Sequence, residues 1–102
     1  MSELYGMHVQ FTAQPGQADA LTEILLEAAR GMEKVEECLL YVVSRSGDEA
    51  DVIVVTEAWV SESAHAASLE GPGVRALIGR AMPLMAGPPR ASTLRPAGGK
   101  GL

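Results

Sequence analysis

The sequence has little cysteine, little positive charge and no long hydrophobic run. Its single cysteine, Cys38, cannot form an internal disulfide, and it lies in an apolar stretch where cysteine is usually a small buried hydrophobe. The formal net charge is −5, and no stretch interleaves lysine or arginine with aromatic residues, so we expect no nucleic acid partner. No apolar segment approaches the length that crosses a membrane, and the N-terminus lacks a basic, apolar leader. We therefore expect a cytoplasmic protein without membrane contact.

Sequence fingerprints of several common chemistries are also missing. There is no GxGxxG after a strand, no P-loop, no CxxC and no HExxH. The two histidines, His8 and His65, lie far apart, so their spacing predicts no metal site. The chain has 102 residues, of which 47% are hydrophobic and 21% charged, a balance typical of a globular protein. We expect one domain over residues 1–102, with an ordered core over about 5–95 and a glycine-rich tail over 96–102.

Hydrophobic periodicity predicts the first half of the fold. Residues 5–14 alternate between apolar and polar side chains, which predicts a half-buried strand, and Pro15-Gly16 ends it. Between residues 18 and 32 the apolar positions recur every three or four residues, the pattern of an amphipathic helix. Two more strands are predicted over residues 38–45 and 52–60, and the short polar loop between them is typical of a hairpin.

The second half repeats this order. Ser61 is a predicted N-cap, and the helix after it should reach about residue 69. Gly71-Pro72-Gly73 interrupts the helical pattern, which resumes over residues 74–85, and a last strand is predicted over residues 90–95. The order β-α-β-β-α-β predicts an α+β, ferredoxin-like fold, an antiparallel sheet with the helices on one face.

Two of the predicted strands are apolar on both faces. Residues 52–55 are all valine or isoleucine, and residues 39–43 are nearly as apolar. A strand of this kind needs cover on both sides, and the predicted helices cover only one. We therefore expect a homodimer formed through the open sheet face. The alternative is a monomer whose central strands are valine-rich because of β propensity.

Four segments carry a family resemblance, and they occur in the family's order. They are Phe11-Thr-Ala-Gln-Pro15-Gly16, Cys38-Leu-Leu-Tyr41, Glu57-Ala-Trp59-Val-Ser61-Glu-Ser-Ala64-His65 and the tail Gly98-Gly-Lys-Gly-Leu102. Together they resemble the antibiotic biosynthesis monooxygenase (quinol monooxygenase) family. The resemblance implies a dimeric α-β barrel with a ligand cavity between helices and sheet in each subunit. It also implies oxidation of phenols, anthrones or quinols by O₂ without flavin, metal or haem.

The expected function is thus a cofactor-independent monooxygenase that oxidises a quinol, an anthrone or another polycyclic phenol, with O₂ as co-substrate. Candidate catalytic residues are His65 and Glu57, because a phenol must give a proton to a base before it reacts with O₂. Alternation places Trp59 on the same strand face as Glu57, where an indole can stack on a flat ligand. The candidate substrate-binding residues are Trp59, Tyr41, Val9, Phe11 and Val55.

Each of these side chains also has a purely structural interpretation. Trp59 could be simple core packing, and His65 could be an exposed residue beside the helix cap. Glu57 could form an ion pair at the strand end with Arg75 or Arg80. The methionines on or near the helical stripes are interpreted as core-filling side chains, and the alternative is a flexible methionine-lined cavity for flat aromatic ligands: Met32, Met82 and Met85.

Two other functions stay open at this point. One is a dimer that binds or sequesters an aromatic small molecule without turnover. The other is haem binding or degradation, since a haem-degrading branch of the family uses a first-strand asparagine, a tryptophan and a later helix histidine. This chain has no asparagine, its first-strand position is Val9, and His65 comes several residues too early, so only Trp59 matches that branch. Some anthrone oxygenases also have an asparagine before the tryptophan, where this chain has Val54 and Val55.

Overall fold

The computed structural model describes residues 3–102 and shows an antiparallel sheet of four strands with three helices. The strands are β1 (Tyr5–Thr12), β2 (Cys38–Arg45), β3 (Val52–Trp59) and β4 (Arg90–Leu94), and the helices are α1 (Ala18–Met32), α2 (Glu62–Ser68) and α3 (Pro72–Ala81). The strand order is β2-β3-β1-β4, which confirms the predicted α+β, ferredoxin-like fold. Within residues 3–102, no helix is long and apolar enough to cross a membrane.

The junction between β1 and α1 is shaped by one glycine. Strand β1 ends at Thr12, two residues earlier than the alternation predicts, and Ala13 continues it only as an isolated bridge to Met85. Gly16 has a φ of 81°, the left-handed conformation that glycine adopts without steric cost. This turn reverses the chain, so that α1 packs back across the strand it has just left.

The bounds of α2 and α3 follow from their caps. The Ser61 hydroxyl accepts a hydrogen bond from the backbone N–H of Ala64, which confirms the predicted N-cap. Helix α3 begins at Pro72, two residues before its predicted start, because proline suits the first helical turn. It ends at Ala81, because Pro83 offers no N–H to an α-helix, and the chain continues as a 3₁₀ turn, Met82–Leu84.

The helices cover one face of the sheet and enclose the core there. Odd-numbered residues of β1 and β3 point to this face, and α1 packs on them with its buried stripe. The core consists of Val9, Ala13, Ile53 and Val55 from the sheet side, Ala18, Leu21, Ile24 and Leu25 from α1, and Ala81 from α3. Glu57 and Trp59 continue the same face of β3 beyond this core.

The other face of the sheet is not covered by a helix in the part of the chain that the structure describes. Its apolar members include Val42 and Leu94, which are 43% and 42% exposed. Gly6 lies on this face, and a Cβ there would come within 3.1 Å of the Pro96 side chain, so the glycine lets the C-terminal tail lie against β1. The open sheet face expected from the sequence is present, and the dimer through it stays a prediction.

Candidate functional site

A cavity of about 710 Å³ lies between the helix-covered face of the sheet and α1, α2 and α3. Its walls are apolar except for five residues, and no lysine or arginine lines it: the polar members are Tyr41, Glu57, Trp59, His65 and Ser68. Pockets that bind small molecules usually measure about 300–1,000 Å³ and combine apolar walls with a few polar groups. The cavity therefore has the size and character of a site for a small, largely apolar molecule.

Glu57 and Trp59 form the polar end of this cavity. They stand two residues apart on β3, so their side chains share one face. The Trp59 Nε1–H donates a hydrogen bond of 2.9 Å to Glu57 Oε1. Trp59 is fully buried and Glu57 is 9% exposed. Burial removes water from the Glu57 carboxylate, and the hydrogen bond from the indole N–H offsets part of that cost.

His65 completes the cluster from α2. The helix starts directly after β3, so its first turns lie over the end of that strand. His65 Nε2 lies 3.7 Å from Glu57 Oε1, and the two side chains are 14% and 10% exposed. The imidazole also meets the Trp59 ring edge-on at 5.5 Å and the Tyr5 ring at 5.3 Å between centroids. The interpretation of His65 as an exposed residue beside the cap is therefore wrong, and the cavity contains a carboxylate–imidazole pair.

Tyr41 stands on the neighbouring strand. The register of β2 against β3 places it directly opposite Glu57. Burial, then the negative charge of Glu57 and then the nearby Cys38 raise the pKa of Tyr41 far above its ordinary value. The hydroxyl therefore keeps its proton at any pH at which the protein would work. Among residues 3–102 the Tyr41 hydroxyl has no hydrogen-bond partner. It is not a fully buried polar atom, and the Tyr41 side chain lines the cavity.

Cys38 adds no nucleophile to the site. Burial raises the pKa of its thiol, a backbone hydrogen bond with Leu40 lowers it, and the charge of Glu57 raises it. Reactive cysteines have lowered pKa values, so this thiol is of the inert, structural kind. Among the described residues, no group of three or more His, Cys, Asp or Glu side chains is placed to hold a metal ion.

All but one of the site residues expected from the sequence line the cavity. Val9 and Phe11 form its wall on β1, and Tyr41, Glu57, Trp59 and His65 form its polar end. Val55 does not line it: this residue is 1% exposed and lies in the closed core beneath α1. The alternation of β3 correctly gave Val55 the face of Trp59, but α1 packs directly over that part of the strand.

The ion pair considered for Glu57 is also wrong for Arg80. The guanidinium of Arg80 contacts the Glu27 carboxylate instead, with Nη1 at 3.0 Å from Oε2, and so joins α3 to α1. Arg75 is exposed on α3 and has no ion pair with Glu57 in the described part of the chain.

Sequence reasoning missed most of the cavity wall that α3 supplies. The apolar residues of α3 were predicted only as a helical stripe, and the structure places them along the cavity: Val74, Leu77, Ile78 and Ala81, of which Ala81 also belongs to the core. The methionines interpreted as core fillers also line it, and Met82 is 64% exposed at its mouth. The available signal was the excess of methionine on the helical stripes, because flexible thioethers suit the wall of a tolerant pocket.

Comparisons with known proteins agree with this geometry. The sequence model of the family named antibiotic biosynthesis monooxygenase matches residues 4–80. A candidate antibiotic biosynthesis monooxygenase from Chloroflexus aurantiacus is similar over 94% of this chain and 95% of that chain, with 38% identity and a TM-score of 0.84. Two further candidates of this kind share the fold. The one from Caulobacter crescentus has 24% identity and a TM-score of 0.88 over 95% of this chain and 92% of that chain. The one from Nitrosomonas europaea has 15% identity and a TM-score of 0.89 over 95% of this chain and 93% of that chain. A search of curated proteins gave no match.

Proposed function

Because this chain belongs to the antibiotic biosynthesis monooxygenase family, we propose that it is a cofactor-independent monooxygenase that oxidises a quinol, an anthrone or another polycyclic phenol with O₂. Members of the family are generally cofactor-independent, typically dimeric and bind small molecules. The observation that carries the proposal is the Glu57–His65 pair, 3.7 Å apart, at the end of an otherwise apolar cavity. The reaction needs a base and an apolar wall for the rings, and this arrangement offers both.

In the proposed reaction, His65 takes the phenolic proton, and Glu57 stabilises the imidazolium that forms. The phenolate gives one electron to O₂, and the resulting aryloxyl radical and superoxide combine to form a C–O bond. The imidazolium protonates the new peroxide. Loss of the proton on that carbon, together with cleavage of the O–O bond, leaves a quinone carbonyl and one water. O₂ is the only oxidant, with one oxygen atom in the product and one in water, so no external reductant is needed.

The cavity walls support a flat, uncharged substrate. Phe11 is an aromatic surface on which a polycyclic ring can stack, and Val9 and Tyr41 lie beside it in the wall, while the fully buried Trp59 borders the polar end. No lysine or arginine lines the cavity, so a fixed anionic group on the ligand would lose its hydration without gaining a counter-charge. These contacts favour neutral phenols over their carboxylated or phosphorylated relatives.

The proposal is tested by measuring oxygen uptake by the purified, metal-stripped protein with a panel of quinols and anthrones. We expect uptake above the rate of autoxidation for at least one compound, and loss of that uptake after heat denaturation. Trp59 is the chain's only tryptophan and lines the cavity, so quenching of its fluorescence reports occupancy in the same samples. A non-oxidisable aromatic compound that quenches this fluorescence should also inhibit the uptake competitively.

The same experiment separates turnover from simple binding. If compounds quench Trp59 fluorescence while oxygen uptake equals autoxidation across the whole panel, the monooxygenase proposal is wrong. The protein would then be a module that binds or sequesters an aromatic molecule.

The proposed active form is a homodimer that buries the open sheet faces of two copies against each other. Leu40, Val42 and Val54 make this face apolar beside a polar strip on β1, and no helix covers it within residues 3–102. A second copy would remove the apolar side chains from water, and a two-fold axis would let the same patch meet itself.

Replacing Val42 by aspartate is expected to raise the dissociation constant of this dimer by at least about tenfold, because a two-fold axis brings two new like charges close together. Light scattering after size exclusion at several protein concentrations measures the change. The matched control is Leu69→Asp, which puts the same charge at a residue that is 47% exposed on the helix side. A wild-type protein that is monomeric at micromolar concentration, or a V42D variant as dimeric as the control, would contradict the proposal.

A further inference from the structure

We infer that the Tyr41 hydroxyl is the hydrogen-bond donor that receives the ligand's oxygen and stabilises that oxygen as an anion. The inference rests on the proposed function, because it assumes that the cavity binds a phenol. It assigns Tyr41 a role separate from that of the base, and it adds a requirement to the substrate: an oxygen that can accept a hydrogen bond and ionise at this position.

Among the described side-chain donors that line the cavity, one stays available to a ligand. The Trp59 N–H already donates a hydrogen bond to Glu57 Oε1, at 2.9 Å. The Ser68 hydroxyl donates to the backbone carbonyl of His65, at 2.6 Å. His65 Nε2 lies 3.7 Å from Glu57 Oε1, and in the proposed reaction this imidazole accepts a proton instead of donating one to the ligand. Tyr41 remains: its side chain lines the cavity, and its hydroxyl is accessible and has no partner among the described residues.

The charges around Tyr41 keep this donor protonated. Glu57 faces it from β3, His65 lies beside Glu57 on α2, and Cys38 is on its own strand, whereas α1 and α3 present only apolar side chains to the cavity. Burial and the charge of Glu57 raise the pKa of Tyr41, so the tyrosine does not ionise in competition with a bound phenol. A donor of this kind can stabilise an oxygen anion without giving up its own proton.

Donor and base thus act on different parts of the proton transfer. His65 takes the proton, and Tyr41 holds the oxygen on which the negative charge develops. Without that hydrogen bond, the charge of Glu57 would oppose the formation of a phenolate in the same space. A hydrocarbon of the same shape would cover the Tyr41 hydroxyl without accepting its hydrogen bond, which disfavours its binding.

The test measures the pKa of a phenol bound in the cavity and needs no turnover. Umbelliferone is a suitable probe, because its neutral and ionised forms absorb at different wavelengths, and Trp59 quenching confirms that it is bound. In the wild type, Tyr41 should favour the ionised form. In Tyr41→Phe the pKa of bound umbelliferone should rise by about 1–2 units, since a hydrogen bond to a charged group is worth about 1.5–3 kcal/mol.

Tyr5→Phe is the matched control, because it removes the hydroxyl of the other tyrosine, which does not line the cavity. This variant should titrate like the wild type. Three results would each overturn the inference. The pKa of bound umbelliferone could be the same in Tyr41→Phe as in the wild type, it could rise equally in Tyr41→Phe and Tyr5→Phe, or the wild type could fail to bind umbelliferone. If oxygen uptake is present but the pKa is unchanged, only this inference fails. If the pKa rises but no uptake occurs, the inference stands and the monooxygenase proposal fails.

Discussion

Replacing His65 by glutamine is expected to lower the oxygen-dependent turnover of a bound phenol by about 10²–10⁴-fold, the usual contribution of a positioned general base. The imidazole lies at 3.7 Å from the Glu57 carboxylate and lines the cavity, so it can take a proton while its charge is balanced. Glutamine keeps a polar side chain of similar length but cannot act as the base. Oxygen-electrode measurements of kcat and KM at several pH values are the readout, and kcat should fall while KM changes only a few-fold.

The chain offers a matched control in its second histidine. His8 is exposed on the open sheet face, outside the cavity, and His8→Gln should leave kcat unchanged at a protein concentration at which light scattering shows the variant to be as dimeric as the wild type. A His65→Gln enzyme with the wild-type kcat would show that another group removes the phenolic proton, and Glu57 would be the next residue to test.

The fold was predictable because its signals are local. Alternation in β1 and in the valine-rich β3, the helical spacing of α1 and the Ser61 cap each act within a few residues, and each gives the correct element. The ends of the helices and strands were harder to predict than their presence. Periodicity carried α3 through residue 85, but Pro83 cannot take part in an α-helix, so the last turn becomes 3₁₀.

The candidate site was predictable only where strand geometry determines it. Two residues on β3 separated by one position must share a face, so the contact between Glu57 and Trp59 follows from the sequence. The approach of His65 depends on how tightly α2 folds back after Ser61, and the position of Tyr41 depends on the register of β2. That register is shifted by an irregularity between Cys38 and Leu40, which no local pattern signals.

Contacts between distant segments were beyond sequence reasoning. Arg80 meets Glu27 across 53 residues of chain, so the choice between Glu27 and Glu57 as its partner is made by the packing of α3 on α1. The same packing decides that Val55 is sealed in the core while Glu57, on the same strand face, borders the cavity. Periodicity gives the face of a side chain, but only tertiary packing decides whether that face is filled or left open.

The second large effect expected is on stability. Trp59→Ala should lower the free energy of unfolding by about 3–5 kcal/mol, the usual cost of removing a large buried aromatic side chain. Trp59 is fully buried, and its N–H is a partner of the buried Glu57 carboxylate. The substitution therefore removes packing and also leaves that carboxylate with one hydrogen bond fewer. Because small domains are stable by only about 5–15 kcal/mol, the loss would be a large part of the total.

Urea unfolding followed by circular dichroism measures this effect without relying on tryptophan fluorescence. All variants are compared at one protein concentration, because the stability of a dimer rises with concentration. Trp59→Phe separates the two causes, since it keeps an aromatic ring but loses the N–H donor, and it should cost about 1–3 kcal/mol. Leu69→Ala, at a side chain that is 47% exposed, should stay within about 1 kcal/mol of the wild type. If Trp59→Phe cost as much as Trp59→Ala, the hydrogen bond to Glu57 rather than indole packing would hold this end of the sheet together. If Trp59→Ala cost no more than Leu69→Ala, the indole would not be part of the closed structure.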